Sequence, residues 1–336
     1  MGIWSSYRMR LQRKRLRIRA RRKSRELRMV VNNTAQIPRD GIVLFSTLRN
    51  EKRRLPYFLE YYRAQGVDHF VIVDNDSDDG GREYLAQQPD VSVWTTQHSY
   101  KSARFGMDWL NYLLSKYGAG KWCLTVDCDE FFVFPFSDTR PIRALTDWLD
   151  TSSIRSFSAL LLDMYPKGPI GQSRYVEGQD PLEVLNWFDA GNYTISRNNR
   201  YDNLWIQGGP RMRMFFADDP IRAPALNKTP LVKWRKGYTY VSSTHMLLPR
   251  GLNLTYDANG GEKATGVLLH AKFLDTFGAK AAEELNRKQH YAASHEYKSY
   301  AAQMKGDPDL WCKWSESYIN WRQLEILGLM SKGNWA

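Results

Sequence analysis

From Gly41 onward, short apolar runs alternate with stretches whose apolar residues recur at helical spacing. "GIVLFSTLRNE" is an apolar run that ends in polar residues, the pattern of a buried strand. In "RRLPYFLEYYRAQG", Leu55, Phe58, Leu59 and Tyr62 fall on one helical face, with Pro56 near the start and Gly66 as a stop. "HFVIVDNDSDDGG" and "VSVW" predict two further strands. "SARFGMDWLNYLLSKYG" predicts a helix with Phe105, Trp109, Leu110, Leu113 and Tyr117 inward and Gly118 ending it, and "KWCLTVDCDEFF" predicts a fourth strand. Strands alternating with helices imply βαβ units. The expected fold class is α/β: an open, mostly parallel twisted sheet with helices on both faces and a helical carboxyl-terminal extension.

Beyond Phe134 the periodicity is less regular. "SFSALLLDMY" predicts a buried strand ending at Asp163, and "GGPRMRMFF" and "YVSSTHMLLP" are also expected as strands. "GAKAAEELNRKQHYAASHEYKSYAAQM" and "YINWRQLEILGLM" predict helices. The expected divisions are a leader at 1–35, a body at 36–275 with halves 41–134 and 135–275, and a helical region at 276–336.

Charge changes the picture of the leader. The chain has 336 residues and a net charge of +12. Residues 1–29 carry twelve Lys and Arg against Glu26 alone, so the remaining chain is nearly neutral. Trp4, Tyr7, Leu11 and Ile18 lie near helical spacing, and two expectations stay open: a basic amphipathic helix on an anionic surface, or a solvated, partly disordered tail. Nucleic acid is not expected as a partner, because no reading module accompanies the charge. With 43% apolar and 13% aromatic residues the body is globular. Three cysteines without metal-type spacing point to a reducing, cytoplasmic setting. No apolar run is long enough to span a bilayer, so peripheral attachment to the inner face of the plasma membrane is the membrane-associated expectation.

The chemistry concentrates at strand ends, where open α/β sheets bind ligands. Three polar clusters occupy such ends: Thr47-Leu48-Arg49-Asn50, Asp74-Asn75-Asp76-Ser77 and Asp127-Cys128-Asp129-Glu130. D-x-D triplets occur four times, and only Asp127/Asp129 sits directly between apolar runs. Carboxylates this close repel one another unless a cation neutralises them, and Mg²⁺ or Mn²⁺ suits such oxygen ligands. A strand end reaching water explains the same residues without function. Glu130 is expected on the opposite face of a continuing strand. The histidines His245 and His270, next to apolar runs, read more readily as core residues than as ligands. Neither G-x-G-x-x-G nor a P-loop is present, which disfavours dinucleotide and P-loop sites.

Together, "VLFSTLRNE", "LPYFLEYYRAQGVDHFVIVDNDSDDG" and "WCLTVDCDEFFVF" resemble the nucleotide-sugar-binding half of family 2-like glycosyltransferases of GT-A fold, in the subgroup with a D-x-D-E-F-F motif. The resemblance covers residues 41–134, with looser similarity in "GGPRMRMFF", "STHMLLP" and "LLHAKF". It implies transfer of a hexosyl or related group from a nucleotide-sugar donor to a saccharide or lipid-linked hydroxyl acceptor, with inversion. It implies that Thr47, Arg49, Asp74 and Asn75 contact base or ribose. Asp127 would approach the ribose or the metal, Asp129 would ligate Mn²⁺ or Mg²⁺, and His270 would reach the metal or diphosphate. Asn75 and Asp76 depart from the family's D-D-G-S loop, and "HAKF" departs from its H-Y, so nucleobase and histidine role rest on residues the pattern does not share.

Asp163 is the leading expected base, with Glu183 and Asp202 as alternatives, and Arg211 and Arg213 are candidates for an anion. Two other readings stay open: a metal-dependent nucleotidyltransferase, and a basic-tailed, non-catalytic nucleic-acid- or membrane-binding protein.

Overall fold

A computed structural model describes residues 3–254, 263–287, 300, 304 and 306–336. The core is a sheet of nine strands. Its first block comprises β2 (Val43–Leu48), β3 (His69–Asp74), β4 (Val91–Thr95) and β5 (Trp122–Thr125), all mutually parallel in the order β4-β3-β2-β5. β2 and β3 are buried along their whole length, which is why they read as continuous apolar runs without alternation. The sheet continues through β11 (Asn227–Lys233), β7 (Ser156–Asp163), β14 (Gly266–His270) and β6 (Glu130–Val133). β7 and β14 run with the first block, and β11 and β6 run against it. With β1 (Arg28–Val31) antiparallel on the β4 edge, six of the nine strands share one direction, the mostly parallel sheet that the sequence predicts.

Helices cover both faces. α2 (Leu55–Ala64) lays Leu55, Phe58, Leu59 and Tyr62 on one face of the sheet, beside Leu44 of β2 and beside α5 (Ile142–Thr151). α4 (Met107–Tyr117) covers the other face with Trp109, Leu110 and Leu113 against Val43 and Phe45. The inward residues expected for α2 and for most of α4 are thus buried; Phe105 lies in the turn before α4, at positive φ. A third cluster, built on Tyr165, Phe215, Phe273 and Phe277, joins α6 (Phe277–Arg287) to the end of β7.

Three expectations are corrected. "KWCLTVDCDEFF" is two strands, not one: β5 ends at Thr125, a turn carries the carboxylates, and β6 forms at the far edge of the sheet. "GGPRMRMFF" forms a short helical turn, Arg211–Phe215, in place of a strand. The leader is part of the folded body. α1 (Ile3–Lys23) packs on α4, where Arg19 Nε bonds the buried Asp108 at 2.7 Å, and β1 extends the main sheet. "YVSSTHMLLP" gives the hairpin β12 (Thr239–Ser242) and β13 (Met246–Leu248), on a separate small sheet.

The carboxyl-terminal region is also tied in. β15 (Ser315–Ser317) pairs with β8 (Trp187–Asp189), and Trp335 stacks on Phe134 of the core. The helix expected from Gly278 to Met304 is seen as α6; most of its remainder lies outside the described residues. The final helix occupies Trp321–Ile326. No helix among the described residues is long and apolar enough to cross a membrane.

The core carries a pH-sensitive element at the start of β3. His69 is buried, with Nε2 2.9 Å from Ser92 Oγ, and burial pushes its imidazole down to about 4 from 6.5. Between those values the unfolded chain binds the extra proton, so stability is full above 6.5 and declines as pH falls toward 4. The melting temperature of His69→Gln should therefore fall less between pH 7 and pH 5 than that of the wild type, measured by differential scanning calorimetry. Phe132→Ala, at a fully buried ring, should cost about 3–5 kcal/mol in urea unfolding.

Candidate active site

The polar ends of β2, β3 and β5 open onto one cleft of about 820 Å³. β2 contributes Thr47 and, just beyond its end, Arg49 and Glu51; β3 is followed by Asn75; the turn after β5 brings Asp127, Asp129 and Glu130. Lys228 of the antiparallel β11 and His270 of β14 line the same cleft. Seven of the expected residues therefore meet: Thr47, Arg49, Asn75, Asp127, Asp129, His270 and Arg211. Trp205, Phe216, Ile221 and Met246 add apolar surface to the lining of the cleft.

At the β2–β3 corner the groups differ in how far they are already committed. Arg49 Nη1 donates to the carbonyl of Asn75 at 3.0 Å and to that of Asp76, so its guanidinium braces the loop after β3. Asn75 Nδ2 donates to the carbonyls of Thr96 and His98, at 3.0 and 3.1 Å. Thr47 Oγ1 is buried and has no hydrogen-bond partner among the described residues. A buried hydroxyl without a partner costs free energy that a ligand group can recover. Gly106 packs against it at φ +75°, where a Cβ would stand 2.9 Å from Thr47 Oγ1. Asp74 departs from its expected role. It does not line the cleft: it is fully buried, its Oδ2 accepts from the Ser77 amide at 3.3 Å and from Thr95 Oγ1 at 3.2 Å, and its Oδ1 has no hydrogen-bond partner among the described residues.

The floor is a chain of alternating charges. Arg211 Nε donates to Asp163 Oδ2 at 2.7 Å, Asp163 Oδ1 lies 2.6 Å from His270 Nδ1, and His270 Nε2 lies 3.4 Å from Asp129 Oδ2. Strand register builds this: His270 pairs with Asp163 across β14–β7 and with Glu130 across β14–β6. Burial opposes every charge, and the partners overcome it. His270, then Arg54 and Lys272, hold Asp129 far below the usual carboxylate range. Arg211 and then His270 hold Asp163 low, and Asp129 and then Asp163 raise the imidazole of His270.

Beside this chain, Lys228 Nζ sits 2.9 Å from Glu130 Oε1 and 3.8 Å from Asp127 Oδ2. Enclosure by protein, then repulsion from Glu130, pushes the Asp127 carboxyl up to about 7, against the pull of Lys228. Half of that side chain still meets solvent, so water relieves part of the push. Arg54 bonds Glu51 at 2.6 Å and the carbonyl of Ala271 at 3.1 Å, while the Ala271 amide donates to the carbonyl of Asp129 at 2.8 Å. The carboxylate turn is thus pinned through both its backbone and its side chains.

Several expected roles change. Asp163 is buried behind His270 with both oxygens engaged, so it has none to offer an acceptor hydroxyl; it fixes the orientation of the imidazole. Glu183 bonds Gln179, Asp202 pairs with Arg197 and Arg250, and none of these acids lines the cleft. Arg213 is held by Asp189 at 2.8 Å, away from the cleft. Glu130 does not turn to the opposite face: the break after β5 cancels the strand alternation, and its Oε2 accepts from the Asp127 amide at 3.1 Å. His245 lines the cleft, yet its Nδ1 is 2.6 Å from the Asn227 carbonyl and burial keeps it neutral, as for a satisfied core histidine. Lys228, Arg54, Glu51 and Lys280, whose Nζ lies 2.6 Å from Glu51 Oε1, line the cleft without a local sequence pattern that marks them.

Among the described residues, no three His, Cys, Asp or Glu side chains converge closely enough to hold a metal on their own. Asp129 and His270 would form a pair of donors once Nε2 gives up its proton, with the far imidazole nitrogen held on Asp163 as in carboxylate–histidine metal sites. Two protein donors at an open cleft fit Mg²⁺ or Mn²⁺, which keep waters or substrate oxygens in their remaining positions.

Removing Arg211 leaves Asp163 with half its charge compensation in a dry site. Arg211→Met should cost about 3 kcal/mol in urea unfolding, and adding Asp163→Asn should recover part of the loss.

No protein-family model matches the chain, and no curated protein does. The solved structures similar in shape include two with low scores. One is a 4-diphosphocytidyl-2C-methyl-D-erythritol synthase, with TM-score 0.25 and 16% identity, covering 42% of this chain and 66% of its own. The other is a putative glucose-1-phosphate thymidylyltransferase from Bacillus anthracis, in complex with a sucrose, with TM-score 0.29 and 9% identity over 85% of this chain and 94% of its own. The fold described above rests on this chain's own topology.

Proposed function

We propose that this chain is a metal-dependent glycosyltransferase that moves a sugar from a nucleotide-sugar donor to a hydroxyl acceptor, with inversion. The observation that carries the reading is one cleft joining an uncommitted Thr47 hydroxyl at one end to the Asp129–His270 pair at the other. A nucleoside diphosphate has matching ends: a polar base and ribose, and a doubly charged leaving group.

In this reading Thr47 receives the base or ribose, and the Arg49-braced loop at Asn75 forms that end of the pocket. Asp127, half exposed, faces the ribose or the diphosphate. Mg²⁺ or Mn²⁺ held by Asp129 and His270 would act as a Lewis acid toward the departing diphosphate. Asp163 keeps Nε2 of His270 aimed at Asp129, and Arg211 keeps Asp163 ionised. Lys228, tied to Glu130, adds fixed positive charge beneath the site. The apolar surface of Trp205, Phe216 and Ile221 suits the acceptor side, where a sugar face or a lipid-linked group packs. The base that deprotonates the acceptor must line the cleft, which Asp163 does not.

A panel of nucleotide-sugars, screened with Mn²⁺ by thermal shift, should yield one donor that stabilises the protein only with metal. Asp129→Asn should abolish that stabilisation and lower kcat by about a hundredfold or more. Asp163→Asn should raise the Mn²⁺ concentration needed for that stabilisation about 10- to 100-fold. Pyrophosphate release from a nucleoside triphosphate and a sugar phosphate, without glycosyl transfer, would replace this reading with nucleotidyl transfer.

A further inference from the structure

α1 has two faces with opposite partners. Toward the body, Ala20 is buried, Met9 and Leu16 are half-buried, and Arg19 bonds Asp108. Gln12 Nε2 donates to Tyr201 Oη at 2.8 Å, so the helix is also fastened to the turn between β9 (Tyr193–Asn198) and β10 (Asn203–Gly208). The opposite face meets solvent with its large apolar side chains. Trp4 is 78% exposed, Tyr7 54% and Ile18 43%. At 3.6 residues per turn, Trp4, the half-buried Leu11 and Ile18 succeed one another every seven residues along one line, with Tyr7 beside it. Arg8, Arg15 and Arg22 repeat at the same interval along one flank, and Lys14 and Arg21 along the other; all five are exposed.

We propose that α1 is a membrane-surface helix that lies flat on anionic lipid, its outer stripe in the headgroup–acyl boundary and its arginine rails on the lipid phosphates. The physics is that of interfacial helices, in which apolar burial and attraction to anionic lipid act together. Charge complementarity favours an anionic partner, and the apolar stripe selects among anionic partners. A nucleic-acid backbone would use the rails and leave Trp4 and Ile18 in water, whereas a bilayer uses both. The inner face stays docked throughout, so the helix fixes the body to the surface as a unit. β10 carries Trp205 into the cleft, so the helix anchors next to the acceptor side. The proposal does not depend on which transfer reaction the cleft performs.

Full-length protein should co-sediment with phosphatidylcholine vesicles containing about one third phosphatidylserine, not with phosphatidylcholine alone, and should dissociate as salt rises. Trp4→Ser/Tyr7→Ser/Ile18→Ser should weaken that binding about tenfold or more. Its melting temperature should not change, because these side chains are exposed. Arg8→Gln/Arg15→Gln/Arg22→Gln should remove the preference for anionic lipid. Wild-type-like sedimentation of the apolar triple variant would overturn the proposal. So would tighter binding to a short DNA duplex than to the anionic vesicles at the same salt.

Discussion

The site depends on one buried run of charge: Arg211, Asp163, His270 and Asp129, each within reach of the next. It crosses four separate parts of the chain, namely the helical turn at Arg211, the end of β7, the end of β14 and the turn after β5. No member is stable alone in that place, since an uncompensated buried charge is costly and each neighbour supplies the compensation. The consequence is positional. His270 is presented with one nitrogen fixed and the other aimed at Asp129, before any ligand arrives. The second network, Glu130 with Lys228 and Glu51 with Arg54, holds the same turn from below.

Such a floor explains why a strand-like sequence carries three carboxylates in four positions. β5 stops where the acids begin, and the turn buries them among four basic side chains rather than in an apolar core. Asp127 is the least compensated of the three: it is half exposed, and Lys228 is its one nearby ion-pair partner among those described, at 3.8 Å. Residual negative potential at an open cleft is what a divalent cation complements.

Much of the fold was legible in the sequence because parallel strands buried on both faces and helices with one apolar face leave different periodicities. β2, α2, β3 and α4 stand where those periods put them. The convergence of Thr47, Asn75 and Asp129 followed from strand polarity alone. What the sequence withheld were pairings between distant segments. Nothing in "FFVF" marks β6 as an edge strand beside β14, yet that placement decides where Glu130 points. The role of Asp163 was misread for a related reason. Its position at a strand end was correct, but its two partners, Arg211 and His270, come from sequence positions 48 and 107 residues away. Lys228 is a similar case, meaningful only once β11 is seen beneath the carboxylate turn. For the leader, composition leaves an amphipathic helix and a solvated tail both open, and its fixation comes from single contacts such as Arg19 to Asp108 that no local pattern signals.

The central claim is that Asp129 and His270 together hold a divalent cation that bridges a nucleoside diphosphate in this cleft. The most direct test is anomalous scattering from crystals grown with Mn²⁺ and a nucleoside diphosphate. The account predicts a manganese peak in contact with Asp129, His270 and diphosphate oxygens, lost in crystals of Asp129→Asn. A diphosphate bound in the cleft without manganese there, or manganese held by other residues, would contradict it.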